Sequence, residues 1–116
     1  MTHATHGSLF ADLPAPGAEE DFRPLFDNGA VRIERIVSHH HASPPGFWYE
    51  QAEDEWVLLV SGAAVLAFDD GREQTLAPGD WTLLPAGCRH RVARTEAATV
   101  WLAVHARPAD TESTVI

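Results

Sequence analysis

The sequence predicts an all-β domain, a small barrel or sandwich of about eight short strands. Three observations carry this. Apolar residues fall in short runs or near-alternation, turn residues punctuate them at close intervals, and no stretch has the spacing of an amphipathic helix. An immunoglobulin-like sandwich fits less well, because the chain has one cysteine and one tyrosine and so neither a core disulfide nor the usual corner tyrosine.

Residues 1–29 differ in texture from the rest. Pro14, Pro16, Gly17 and the acidic Glu19-Glu20-Asp21 oppose a long regular element, yet Leu9, Phe10, Leu13, Phe22, Leu25 and Phe26 are too apolar for a free tail. This stretch reads as an arm packed on the barrel or on a neighbouring subunit, with a homodimer as its natural use. The barrel is expected over 30–107 and a C-terminal tail over 108–116.

Within the barrel, Val31, Ile33 and Val37 alternate with Arg32, Glu34 and Ile36 as a first strand. Phe47-Trp48-Tyr49 is aromatic and β-prone. Trp56 to Val60 is an apolar run closed by Gly62, and Ala63 to Phe68 follows. Asp69-Asp70-Gly71-Arg72 has the Asp-Gly chemistry of a tight hairpin, which makes Arg72 to Leu76 the return strand. Ala77-Pro78-Gly79-Asp80 turns the chain into Trp81 to Leu84, and Pro85-Ala86-Gly87 turns it again. His90 to Arg94 and Thr99 to His105 complete the set.

Composition narrows the function. Eight Lys plus Arg, all arginine, face 17 Asp plus Glu, a formal net charge of −9. Such a surface repels phosphate backbones and anionic lipid, so nucleic acid and membranes are not expected partners. No apolar run approaches the roughly 18 residues of a spanning helix. The N-terminal Met1 to Gly7 lacks the basic-then-apolar pattern of a secretory signal. With Cys88 as the single cysteine, no internal disulfide or Cys-based zinc cluster can form, and a cytoplasmic protein is expected. Cys88 itself reads as a small residue in a turn.

Two segments carry a resemblance. Gly79, five residues, Pro85, one residue, Gly87, two residues and His90 reproduce the second motif of the cupin superfamily through its histidine. The last family position, usually Asn, is Arg94 here. In the first motif Glu55 and Gly62 have the family spacing, but its two histidines are replaced: Tyr49 and Gln51 take their places, or Trp48 and Glu50 with the longer gap. The string from Ser43 to Gln51 with Glu55-Trp56-Val57 is similar to a subgroup of small single-domain cupins. The resemblance implies a double-stranded β-helix, or jelly-roll barrel, over nearly the whole chain.

It also implies a site. In typical cupins two His, the Glu and the second-motif His hold a divalent metal inside the barrel. Here Gln51, Glu55 and His90 are the corresponding donors, a set able to take Zn²⁺, Mn²⁺, Fe²⁺ or Ni²⁺ more weakly than three imidazoles would. Alternation puts Tyr49 on the face of Gln51, as a further ligand or a substrate contact. Of the run His39-His40-His41, a solvated loop is the simpler reading, with His41 the candidate to complete the metal set. His3 and His6 read as arm residues, and His105 as an ordinary strand-end histidine. Trp56, Trp81 and Trp101 read as core or dimer-interface residues, whereas Phe47, Trp48 and Tyr49 are candidates to line a pocket.

Two functions stay open at this point. One is a metal site binding a small organic molecule, with or without turnover, with Tyr49 as proton donor or substrate anchor, Glu55 as ligand or base and His90 as ligand or acid–base. The other is a metal-free, non-enzymatic binding or sensing module with an aromatic pocket.

Overall fold

The computed structural model describes residues 2–108, so the expected tail at 109–116 lies outside the described residues. Eight strands follow in order: β1 Asp21–Asp27, β2 Val31–Ser38, β3 Asp54–Ser61, β4 Ala64–Phe68, β5 Glu73–Leu76, β6 Trp81–Leu84, β7 His90–Thr95 and β8 Thr99–Ala106. Every pairing is antiparallel. A five-stranded sheet ordered β1-β2-β8-β3-β6 faces a three-stranded sheet ordered β5-β4-β7. The expected all-β jelly-roll barrel is what the chain forms. No helix among the described residues is long and apolar enough to cross a membrane.

The inner faces of the two sheets meet in a core of Val57, Leu59, Ala64, Leu66, Leu76, Leu84 and Trp101, with Ile36, Phe68, Cys88 and Val92 packed against it. Side chains alternate between faces along a strand, and residues directly opposite across a ladder share a face. Glu55 pairs with His105 on β8 and with Leu84 on β6, so these three point inward together. The outward set on the same strands is Trp56, Leu58, Trp81, Leu83, Leu102 and Val104.

Two differences from the sequence reading have physical causes. A seven-residue strand, β1, lies inside the stretch read as an arm, and it extends the barrel's own sheet. It tolerates Pro24, which cannot donate to a ladder, because β1 is an edge strand and its register shifts between Pro24 and Phe26. Conversely, Phe47-Trp48-Tyr49 is not a strand. The chain turns there, Phe47 N–H donating to the Pro44 carbonyl, and only Tyr49 makes an isolated bridge, to His90.

The remainder of the arm does pack on the barrel. Arg35, 2% exposed, donates to the carbonyls of Leu9 (3.2 Å) and Ala11 (2.7 Å). His39 and His41 reach the carbonyls of Pro14 (3.2 Å) and Gly17 (2.9 Å).

Candidate functional site

A cavity of about 110 Å³ opens between the sheets. Glu20, Glu34, Tyr49, Gln51, Glu55, His90 and His105 supply its polar lining; Phe22, Ile36, Val57, Leu66, Leu84, Val92 and Trp101 supply the apolar wall. Its size compares with the roughly 150 Å³ of an engineered cavity that accepts benzene, and falls short of the roughly 300 Å³ at which drug-sized pockets begin.

The sequence expected Gln51, Glu55 and His90 to share a site, and all three line this cavity. Glu55 sits at its centre. Its Oε1 lies 3.8 Å from His90 Nε2 and its Oε2 lies 3.7 Å from His105 Nε2, with the carboxylate side chain only 11% exposed. Burial, the largest cause, raises its pKa above the ordinary 4.5, against the pull of the two imidazoles.

The second-motif turn positions His90. Gly87 N–H donates to the Gln51 carbonyl, and Ala86 N–H to Asp54 Oδ1, which ties the turn to the start of β3. Gly87 has φ near 81°, a conformation glycine adopts without penalty. His90 then opens β7 facing inward, 5% exposed. Its Nδ1 lies 3.0 Å from the Cys88 carbonyl and donates to it, so Nε2 presents a lone pair to the cavity.

Tyr49 is held by a pair of backbone hydrogen bonds to His90, and its ring stacks on the imidazole at 5.5 Å. Burial first, then the carboxylates of Glu20 and Glu55, push the phenol above its ordinary value, so it stays protonated and can donate.

Four residues of the site escaped the sequence reading. His105 is not an ordinary strand-end histidine: it is 3% exposed and its Nε2 lies 3.1 Å from Glu34 Oε1. The signal was its alternation with Trp101 and Ala103, which puts all three on the inner face. Glu34 reaches the cavity because the polar set of β2, together with Ile36, faces inward. Arg35 and Val37 face outward and are buried there. The arm also contributes, through Glu20 and Phe22.

Other candidates lie elsewhere. His41 does not join the site; its Nδ1 accepts the His39 N–H at 2.8 Å and its Nε2 is bound to the arm. Of the aromatic trio only Tyr49 lines the cavity. Phe47 sits edge-on to Tyr49 and 45% exposed, while Trp48, on the opposite side of the chain, lies against Arg89. Trp101 is in the core and the cavity wall, whereas Trp81 is 58% exposed on the outer face.

Glu55 pairs with His90 and with His105, and His105 in turn with Glu34. Among the described residues, no group of three or more His, Cys, Asp or Glu is arranged to hold a metal ion. With His41 turned away, the side chains as placed fit a proton-holding network of two carboxylates and two imidazoles, and not a preformed metal centre.

A family model described as a cupin domain matches residues 32–105. Among solved structures, the chain is 48% identical to a Ralstonia eutropha JMP134 protein provisionally named a mannose-6-phosphate isomerase. That match has a TM-score of 0.87 and covers 90% of this chain and all of the other. A cupin superfamily protein from Desulfitobacterium hafniense DCB-2 matches at 20% identity and a TM-score of 0.71, over 83% of this chain and 84% of its own. An RmlC-like cupin from Desulfovibrio desulfuricans matches at 13% identity and a TM-score of 0.75, over 92% of this chain and 100% of its own. The last two speak to fold alone. No curated protein matches the chain.

Proposed function

The chain belongs to the cupin family, and from that premise we propose that its barrel binds one small organic molecule in the cavity around Glu55 and moves protons on it. The observation that carries this reading is the placement of one buried carboxylate between two imidazoles, each 3.7–3.8 Å away, in a cavity with an apolar wall. Burial raises the Glu55 pKa above the ordinary carboxyl value, which makes it a stronger proton acceptor than a solvated carboxylate. His90 offers an acceptor lone pair, Tyr49 offers a donor, and Glu34 orients His105. These are the parts of a general acid–base site; the same parts without turnover make a sensing module.

The divalent-metal version of this reading would use Glu55, His90 and Gln51, with His105 in place of His41. The pairwise donor arrangement favours the metal-free version. The provisional name of the Ralstonia protein would make a hexose phosphate the substrate. Against carrying it over, no arginine lines this cavity and its 110 Å³ is small for a phosphorylated sugar. A cytoplasmic setting accords with a single free cysteine.

Fragment screening by NMR, read on the Trp101 indole N–H, tests the proposal. Saturable shifts of that signal by small polar organics, abolished in Glu55→Gln, are expected. Fragments that move only surface resonances would reject the cavity as the site. Elemental analysis of tag-free protein runs beside it: near-stoichiometric Zn, Mn, Fe or Ni, lost in His90→Ala, would replace the metal-free reading.

A further inference from the structure

We infer that the ligand of this cavity carries a protonated amine, an inference that rests on the cavity being the binding site. The balance of hydrogen-bonding atoms points there. Glu20 already accepts from Ser38, and Glu34 from His105. What is left beside Glu55 is acceptor: both of its oxygens, which make no hydrogen bond within the protein, and His90 Nε2, while the Tyr49 hydroxyl and the Gln51 amide, also in the lining, can give or take. His90 Nε2 lies 3.8 Å from Glu55 Oε1, beyond hydrogen-bond distance, and so is free to accept from a ligand donor.

Charge points the same way. Three glutamates line the cavity and none of the eight arginines does. Arg32, the arginine whose field reaches Glu55, spends its guanidinium on Glu53 at 3.2 Å. An anion entering here would meet carboxylates with no compensating cation, a costly arrangement in a low-dielectric interior. A bare divalent ion needs several donors around one point, which the pairs do not form. An ammonium group differs. Its three N–H donors take separated acceptors, and charge-assisted bonds to a carboxylate are roughly twice as strong as neutral ones. Val57, Leu66, Leu84 and Val92 then receive a short alkyl chain, and 110 Å³ limits that chain to a few carbons.

The test uses three probes of one shape on the whole chain at pH 7.5: n-propylammonium, 1-propanol and propionate, with inorganic phosphate as a fourth. An alkylamine is protonated at this pH, its pKa lying near that of lysine. The Trp101 indole signal reports occupancy. Binding of propylammonium at least about tenfold tighter than propanol is expected, with propionate and phosphate silent. In Glu55→Gln the preference should fall to about twofold, and the wild-type comparison stands even if that variant folds poorly. Propanol equal to propylammonium, or propionate or phosphate tighter than either, overturns the amine inference and leaves the cavity as a binding site. Silence of all four probes at Trp101 overturns both.

Discussion

His105 Nε2 lies 3.1 Å from Glu34 Oε1, although 71 residues separate the two in the chain. The ladder between β2 and β8 makes them diagonal neighbours: His105 is directly opposite Arg32, two residues from Glu34. The other ring nitrogen of His105 is buried and meets no protein partner, so Glu34 is what satisfies this imidazole. Removing Glu34 therefore strands a buried polar ring. Glu34→Ala is expected to cost about 1–3 kcal/mol in urea unfolding. In a double-mutant cycle with His105→Ala, a coupling above about 1 kcal/mol is expected. Additive losses would mean that the bond contributes nothing.

Glu55 gives a pH dependence with a definite sign. Burial raises its folded pKa above 4.5, so the folded state favours the protonated form. Its contribution is fully present below the unfolded value and is lost as pH rises through the folded one. Glu55→Gln, which keeps the shape and drops the charge, should raise Tm at pH 8 and raise it much less at pH 4. A stabilisation equal at both pH values would contradict the raised carboxyl.

The fold was legible in the sequence because turn chemistry is local. Asp70-Gly71, Pro78-Gly79 and Pro85-Ala86-Gly87 each mark a chain reversal, and the strands between them form where the alternation placed them. Half of the site was legible for the same reason, since Gln51, Glu55 and His90 are set by turns and fixed spacing. The other half depends on which face of β2 and β8 points inward, and hydrophobicity misleads there. On β2, Val37 is buried on the outer face, while Glu34 is spent inside. The trio at 47–49 failed differently: β-propensity favoured a strand, but the Pro44-Pro45-Gly46 turn left Tyr49 alone to bridge.

Gly62 belongs to the first-motif spacing, and its reason is steric rather than chemical. It has φ near 90°, and a Cβ there would lie 2.6 Å from the Thr99 Cα. Backbone cannot yield to that approach as a flexible side chain would. Gly62→Ala should lose about 3 kcal/mol or more, from the left-handed strain together with displacement of β8. A variant with wild-type Tm would show that the β3–β4 turn relaxes freely.

Arg35 anchors the arm. Its guanidinium is buried, donates to two arm carbonyls and lies 3.6 Å from Asp21. Without it, residues 9–13 lose their charged hydrogen bonds, worth about 1.5–3 kcal/mol each. Chymotrypsin should then cut after Phe10 at least about tenfold faster in Arg35→Ala than in the wild type, because local opening governs cleavage. Equal rates would mean that the arm is held by other contacts, with His39 and His41 the next to change.

The outer face of β3, β6 and β8 bears on assembly. Trp56 and Trp81 stack at 6.2 Å there, and Trp81 and Leu83 are 58% and 54% exposed. A sheet face carrying two indoles and several branched side chains is costly to leave in water, and a two-fold axis would bring two such faces together. The homodimer expected from the sequence is proposed to close on this face. Light scattering should then give twice the 12.7 kDa chain mass at micromolar concentration. Trp81→Glu with Leu83→Glu should halve it, since a charge at each position would be buried without a partner. A monomeric wild type, or a double variant that stays dimeric, would move the interface off this sheet.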